Sequence, residues 1–212
     1  MKKSSDARLY AYATQRNRQP ILEVLLQVLP PNGTVLEIAS GTGEHAVFFA
    51  PQLNKHKWLT SEPNPQLRAS INAWYQHNPT DNFYPPLNID ARDPVWSAET
   101  QIDPDLLPII AIVNINMIHI SDWSACLGLM AGASRILPAE GILYLYGPFK
   151  QGGKHTAPSN EAFDRNLKMQ NPDWGVRDLE DTIAAANEQN LKLKKIYQMP
   201  ANNISVIFER CK

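Results

Sequence analysis

The chain has 212 residues, 43% of them hydrophobic, and a formal net charge of -1 at pH 7. These values predict one packed domain over residues 1–212 and give no sign of a nucleic-acid-binding surface, and no apolar run of about 18 residues is present to span a membrane. No apolar segment follows the N-terminal lysines, and Cys126 and Cys211 lie far apart in the sequence, so we expect a cytoplasmic protein with free thiols.

The first half of the sequence alternates helical and extended patterns. Apolar side chains at helical spacing between Pro20 and Leu29 predict a helix within an N-terminal helical segment, residues 1–30. We predict strands over residues 34–39, 57–61 and 87–90, and helices over residues 44–53 and 66–77.

The second half continues this alternation. The run "PIIAIVNI", residues 108–115, is apolar on both faces, as is typical of a central parallel strand. Ser121 or Asp122 is the predicted N-cap of the helix that follows. The later predictions are a helix over 121–137, a strand over 141–147, a helix over 178–189, and antiparallel strands over 191–199 and 203–211. The alternation predicts an α/β fold, with a doubly wound, mostly parallel seven-stranded sheet that ends in an antiparallel C-terminal strand pair.

The loops that follow the strands are where such sheets bind ligands. In "VLEIASGTGEH", Gly41 and Gly43 let a ligand approach the backbone of a strand-to-helix turn. Their spacing alone fits a dinucleotide site or a plain tight turn. Glu37 lies inside the preceding strand, where a carboxylate needs donors such as the loop N–H groups, or a cationic ligand group. Because it would repel a pyrophosphate, Glu37 favours S-adenosylmethionine over NAD.

Two further acids follow predicted strands. Glu62 is placed to accept both hydroxyls of a ribose, a device that NAD-binding folds share. Asp90 is the candidate acceptor for an adenine amine, with the N–H of Ala91 meeting a ring nitrogen; Asp93 is the competing residue. Glu62 and Asp90 together indicate an adenosine ligand, although exposed or turn-capping acids are the alternative.

The loop after the most apolar strand contains Asn116, Met117 and His119, where a methyl acceptor would meet the sulfonium. His119 is a candidate general base, because an imidazole titrates near neutral pH. A packing or capping role is the alternative. No cluster of metal ligands is apparent, and no D/N-P-P-Y/F motif follows this strand, which argues against amino-group methylation of DNA bases or protein glutamine.

Taken together, the glycine motif, Glu62, Asp90 and "NINMIH" resemble class I S-adenosylmethionine-dependent methyltransferases. Several longer segments are similar to the methyltransferase-like protein 26 family: "RNRQPILEVL", "INMIHIS", "YGPFKQGGKHTAPSNEAFD", "NPDWGVRD" and "MPANN". The resemblance extends over nearly the whole chain and supplies no substrate.

The resemblance implies a Rossmann-like sheet that binds S-adenosylmethionine and releases S-adenosylhomocysteine. By position, it assigns Glu37 and Gly41 to the first motif, Glu62 to the ribose, and Asp90 with Ala91 to the adenine. One departure concerns Ala39, which occupies a position where many class I enzymes have glycine. The list of predicted cofactor residues is completed by Asn17, Gly43, Asn116 and Met117.

Segments outside the sheet are predicted to shape the acceptor pocket. Arg16 and Asn17 offer donors for the methionine carboxylate or for an acidic acceptor. Residues 147–175 form a lid-like insertion. The predicted substrate contacts are Arg16, Tyr146, Phe149 and Asn160.

The favoured function is methyl transfer to a small-molecule acceptor, with no nucleic-acid or membrane partner. Two alternatives stay open from sequence. One is a protein that binds S-adenosylmethionine without catalysis, and the other is an NAD-dependent oxidoreductase.

Overall fold

The computed structural model describes residues 6–106 and 108–212. Its helices are α1 (Tyr12–Val28), α2 (Glu44–Phe49), α3 (Pro65–His77), α4 (Ser97–Thr100), α5 (Trp123–Ile136), α6 (Pro158–Gln170) and α7 (Leu179–Glu188). Its strands are β1 (Gly33–Ile38), β2 (His56–Ser61), β3 (Phe83–Leu87), β4 (Ile109–Ile115), β5 (Ile142–Gly147), β6 (Lys150–Gln151), β7 (Lys154–His155), β8 (Leu191–Met199) and β9 (Asn203–Arg210).

A seven-stranded sheet forms the centre of the molecule, in the order β3-β2-β1-β4-β5-β9-β8. The strands from β3 to β5 in this order are parallel, whereas β9 runs antiparallel to β5 and to β8. This topology confirms the predicted α/β fold with its antiparallel C-terminal pair. The strand order reverses between β1 and β4, which is where ligands bind in sheets of this type.

Helices cover both faces of the sheet because the central strands are apolar on both sides. Within β1, Val35 packs into the core formed with α1, α2 and α3, and Leu36 packs into the core formed with α5 and α7. Both side chains are fully buried. Successive residues of one strand thus hold the two helical layers together.

Two predicted elements were wrong in their bounds. The third strand spans Phe83–Leu87 instead of residues 87–90 and contains Pro85 and Pro86. It is an edge strand, where a residue that cannot donate a ladder hydrogen bond is tolerated. Helix α1 begins at Tyr12, well before the predicted start, and continues through Pro20. The segment "RNRQP" therefore lies inside the helix and not before it.

The insertion between β5 and α7 has defined structure. Gly152 and Gly153 have φ values of 57° and 75° and form the two-residue turn between β6 and β7, a conformation that favours glycine at both positions. The amide of Gly153 donates to Asp178 Oδ2 at 2.7 Å. In α6, Asp164 Oδ1 accepts from the amide of Val176 at 2.7 Å. The insertion is thus tied to the segment that leads into α7, and its motion as a lid remains a prediction.

Helix α5 packs closely on the loop that follows β3. A Cβ atom at Gly132 would lie 2.1 Å from Cζ2 of Trp96, a side chain with no solvent exposure. At Gly128 it would lie 2.2 Å from the carbonyl oxygen of Ala91. These two glycines allow the close approach that fixes the position of Asp90 and Ala91.

We predict that Gly132→Ala lowers the free energy of unfolding by about 1–3 kcal/mol, because the added methyl overpacks the contact with Trp96. Urea denaturation measures the loss. The matched variant combines Gly132→Ala with Trp96→Phe, which removes the indole atoms that the methyl would meet. The double variant should lose less free energy of unfolding than the sum of the losses measured for Gly132→Ala and Trp96→Phe alone. Strictly additive losses would contradict the contact.

Candidate active site

The site lies at the carboxyl ends of the parallel strands, beside the point where the strand order reverses. A first cavity of about 440 Å³ is bounded by the loops after β1, β2, β3 and β4. It brings together seven predicted cofactor or flanking positions: Ile38, Ala39, Gly41, Glu62, Asp90, Ala91 and Met117. A second cavity of about 560 Å³ lies against α1, α6 and the ends of β4 and β5.

The glycine loop presents an open backbone to the first cavity. Ala39 and Gly41 both have a φ of 57°, in the left-handed region. This conformation explains why glycine suits the position of Ala39, since a Cβ costs roughly 1–2 kcal/mol there. A Cβ at Gly41 would find no heavy atom within 4 Å, so the space beside this residue is free for a ligand.

Glu62 joins the loops that follow β1 and β2. Its Oε2 accepts from the amide of Gly41 at 3.0 Å, and its Oε1 accepts from the amide of Asn64 at 3.0 Å. Burial raises the pKa of Glu62, and the two amide donors oppose the rise. The carboxylate is thus fixed at the wall of the first cavity, with lone pairs left for a ligand hydroxyl.

Glu37 lies in β1 and is 2% exposed. Its Oε2 accepts from the indole Nε1 of Trp58 at 3.0 Å. Burial raises the pKa of Glu37 to about 7, and the bond from Trp58 opposes that rise. Among the hydrogen bonds of the described residues, Glu62 and not Glu37 accepts the loop amide of Gly41. The indole donor was missed by the sequence analysis, although Trp58 occupies the neighbouring strand.

Asp90 lies in the first cavity and is paired with Arg92. The guanidinium donates to Asp90 Oδ1 at 2.9 Å and to Oδ2 at 2.6 Å, and a further bond of 3.2 Å reaches Asp122. The pairing with Arg92 lowers the pKa of Asp90. Asp93 does not line the first cavity. Its Oδ2 instead accepts a long hydrogen bond, 3.4 Å, from the amide of Asp90. Arg92 follows Asp90 by two residues and was missed.

The loop after β4 separates the two cavities. Ile115 and Met117 line the first cavity, and Asn116 between them lines the second. Asn116 has a φ of 63°, a left-handed conformation that asparagine adopts more readily than most residues, and its amide donates to the carbonyl of Tyr146 at 2.9 Å. Consecutive side chains at the end of β4 thus line different cavities, in keeping with the alternation of side chains along a strand.

The second cavity collects three of the four predicted substrate contacts, Arg16, Tyr146 and Asn160, together with the predicted cofactor residues Asn17 and Asn116. The side chain of Asn17 hydrogen-bonds to Nε2 of His45 at 2.8 Å. Burial lowers the pKa of His45 to about 3, so this ring is neutral. The sequence analysis missed His45, whose signal was its place directly after the glycine turn.

His119 and Phe149 line neither of these two cavities. The His119 ring is fully buried and packs edge-on against Phe149, with 4.9 Å between centroids. Its Nδ1 accepts from the amide of Arg177 at 3.3 Å, and its Nε2 has no hydrogen-bond partner among the described residues. Burial lowers the pKa of His119 to about 3.

Within residues 6–106 and 108–212, no group of three or more histidine, cysteine, aspartate or glutamate side chains is arranged to hold a metal ion. The helices of this part of the chain are too short or too polar to cross a bilayer. Cys126 is buried and Cys211 is partly exposed, and both are free thiols.

Solved structures of methyltransferases share this fold at low sequence identity. An O-methyltransferase family protein from Burkholderia thailandensis is 13% identical, with a TM-score of 0.76 over 94% of this chain and 58% of that protein. The mitomycin 7-O-methyltransferase MmcR is 12% identical, with a TM-score of 0.75 over 94% of this chain and 54% of that one. The chain therefore spans little more than half the length of these two proteins.

A third structure is nearer in length. The geranyl diphosphate C-methyltransferase from Streptomyces coelicolor A3(2) is 12% identical, with a TM-score of 0.70 over 92% of this chain and 80% of that one. These likenesses establish the fold of S-adenosylmethionine-dependent methyltransferases.

A family model described as "Protein of unknown function (DUF938)" matches residues 8–210. Because the match extends over almost the entire chain, the protein belongs to the DUF938 family.

Proposed function

We propose that the protein is an S-adenosylmethionine-dependent methyltransferase that acts on a small molecule. The observation that carries this proposal is the Glu62 carboxylate, held by the Gly41 amide at the wall of a cavity of about 440 Å³. Related folds support it, since MmcR and the geranyl diphosphate enzyme are methyltransferases, and the structure of CalO1, a methyltransferase in calicheamicin biosynthesis, contains S-adenosylhomocysteine.

The first cavity has the chemistry that an adenosine needs. Glu62 would accept from the ribose hydroxyls, and Asp90 with the amide of Ala91 would meet the adenine edge. Ile38 and Met117 supply apolar walls for the base. The open space beside Gly41 fits the close approach of a ligand to the loop. Asn17 and Asn116 line the second cavity, so we assign these two predicted cofactor residues to the acceptor side of the site.

S-adenosylmethionine, when bound, supplies a methyl group on a cationic sulfur that is open to in-line displacement. The residues of this chain then have to align the acceptor and exclude water. The two cavities suit this division, because the loop at Asn116 forms a wall of the second and its neighbours form a wall of the first. Glu37, buried beneath the glycine loop and bonded to Trp58, holds the loop's strand in place.

The alternatives fit less well. In an NAD-dependent oxidoreductase Glu62 would serve the ribose equally well, but the pyrophosphate would lie at the glycine loop, above the buried Glu37. A protein that binds S-adenosylmethionine without catalysis would not need the second cavity, which is the larger of the two. The finer likeness to methyltransferase-like protein 26 rests on the sequence segments and stays a prediction.

For His119 we now favour a packing role over the general-base role. The ring has no solvent exposure and a pKa of about 3, so it contacts no acceptor and is neutral near pH 7. It accepts from the amide of Arg177 and contacts Phe149, which links the loop after β4 to the insertion.

We predict that Glu62→Gln weakens the binding of S-adenosylhomocysteine by about 1–3 kcal/mol, because the ribose loses a charged acceptor. Isothermal titration calorimetry measures the affinity. The control is Glu23→Gln, which changes an exposed acid on α1 and should leave the affinity unchanged. Equal affinity of the Glu62→Gln variant and the parent would remove Glu62 from the site. Binding of NAD without S-adenosylhomocysteine would refute the proposed function.

We predict that His119→Asn changes the acid sensitivity of the fold and spares methyl transfer. The folded-state pKa of about 3 lies below the ordinary histidine pKa of 6.5, so only the unfolded state takes up this proton between those pH values. Stability therefore falls as the pH decreases below 6.5, by roughly 1.4 kcal/mol per pH unit for one such histidine. Urea denaturation from pH 4 to pH 7 measures the free energy of unfolding. In the variant, this free energy should fall less steeply with decreasing pH than in the parent, by about the same amount per pH unit. Loss of methyl transfer by a fully folded variant would restore the general-base role.

A further inference from the structure

The wall of the second cavity contains a positive charge and, among the described residues, no negative charge. Of its described lining residues, only Arg16 is charged; it is exposed on α1. The polar remainder of the wall is mostly amide, including Asn17 and Asn116. No aspartate, glutamate, histidine, lysine or cysteine lines this cavity in the part of the chain that the structure describes. A ligand with a negative charge is therefore favoured here, and a cationic one is disfavoured.

The N-terminus of α6 adds to this positive character. Ser159 and Asn160, in the first turn of this 13-residue helix, both line the cavity. The N-cap residue, Ala157, makes no side-chain cap. Pro158 has no N–H, and the amides of Asn160 and Glu161 donate to the Ala157 carbonyl, so Ser159 supplies the remaining N–H of that turn. The partial positive charge of a helix N-terminus therefore faces the same space as Arg16.

Tyr146 is the remaining titratable group in the wall. Burial raises the pKa of its hydroxyl, and the nearby side chain of Asn17 opposes that rise only in part. The phenol is therefore protonated near neutral pH and acts as a hydrogen-bond donor or acceptor, not as a base. The cavity thus contains no group among the described residues that would remove a proton from an acceptor.

We propose that the methyl acceptor is a small molecule that presents a carboxylate to the second cavity, where Arg16 and the first turn of α6 bind it. The inference rests on the proposed methyl transfer and names its acceptor class. An oxygen of the carboxylate forms a bond to the methyl carbon, the carbon–sulfur bond breaks with its electron pair left on sulfur, and no proton moves. The products are a methyl ester and S-adenosylhomocysteine.

A carboxylate fits better than the other common acceptors because it needs no base. Its pKa near 4 leaves it ionised at neutral pH, whereas a phenol near 10 and an amine near 10 are protonated and would require a proton acceptor in the wall. An ammonium group would in addition be repelled by Arg16. The amide and phenol groups of the wall can bind either oxygen of a carboxylate.

The first experiment measures binding to the parent protein saturated with S-adenosylhomocysteine. The probes are matched pairs of an acid and its amide: benzoate with benzamide, and indole-3-acetate with indole-3-acetamide. Saturation-transfer NMR and calorimetry should show the acids binding at least about tenfold more tightly than the amides. Equal binding within each pair, or binding of neither acid, would overturn the proposal.

Arg16→Gln separates the acceptor from the cofactor. We expect this variant to bind the acids about tenfold more weakly and S-adenosylhomocysteine within about twofold of the parent. Arg165→Gln is the control, since Arg165 is exposed on α6, pairs with Glu161 at 3.8 Å and lines neither cavity. If Arg16→Gln instead weakens S-adenosylhomocysteine and spares the acids, Arg16 belongs to the cofactor and the proposal fails.

The second experiment identifies the bond that is made. The protein is incubated with methyl-tritiated S-adenosylmethionine and a small-molecule extract of bacterial cells, and the products are treated with alkali. A methyl ester releases its label as volatile methanol, whereas ethers, thioethers and N-methyl products keep it. Label that stays in base-stable products would overturn the carboxylate and leave the proposed function standing. No transfer of label, with S-adenosylhomocysteine still bound, would overturn both.

Discussion

The hydrogen bond from the Gly41 amide to the Glu62 carboxylate, 3.0 Å long, is the contact on which the rest of the site depends. It joins the loop after β1 to the loop after β2, and a second bond from Asn64 fixes the carboxylate from the other side. A carboxylate that is 5% exposed has lost most of its water, so these two amides are what make its burial tolerable. The same bonds leave Gly41 in its left-handed conformation with free space beside it. The wall of the first cavity is therefore set by the backbone before any ligand binds.

Much of the fold followed from the sequence because its signals are local. Apolar runs identified β1, β4 and β5, and Asp122 and Asp178 cap the helices that they were expected to begin. The failures have physical causes that a pattern does not show. A strand with two prolines is acceptable only because β3 is at the edge of the sheet. In α1, the sequence pattern placed Pro20 at the start of the helix, whereas the helix extends on both sides of it.

The candidate site was predictable in its positions and less so in its contacts. The loops after the strands contain Glu62, Asp90 and Asn116, as the topology requires. The sequence could not show the hydrogen-bond partner of each acid. The guanidinium of Arg92 donates to Asp90, and the indole of Trp58 donates to Glu37. His119 shows the same limit. Its position in the loop at the carboxyl end of β4 indicated a general base, whereas its ring packs against Phe149 and has no contact with solvent. Burial of a single ring depends on residues distant in sequence, and no local pattern encodes it.

The two cavities that meet at Asn116 differ in charge. The first cavity has three acids in its wall, Glu62, Asp90 and Asp122, against the single guanidinium of Arg92, and the second has Arg16 and no acid among the described residues. A cationic methyl donor and an anionic acceptor would each be attracted to its own side of this loop, and each would be disfavoured on the other. Because Asn116 lines one cavity while Ile115 and Met117 line the other, consecutive residues form walls of both and bring these environments to a common edge. Under the proposed function, this shared wall would let a cationic donor and an anionic acceptor approach each other without sharing a cavity.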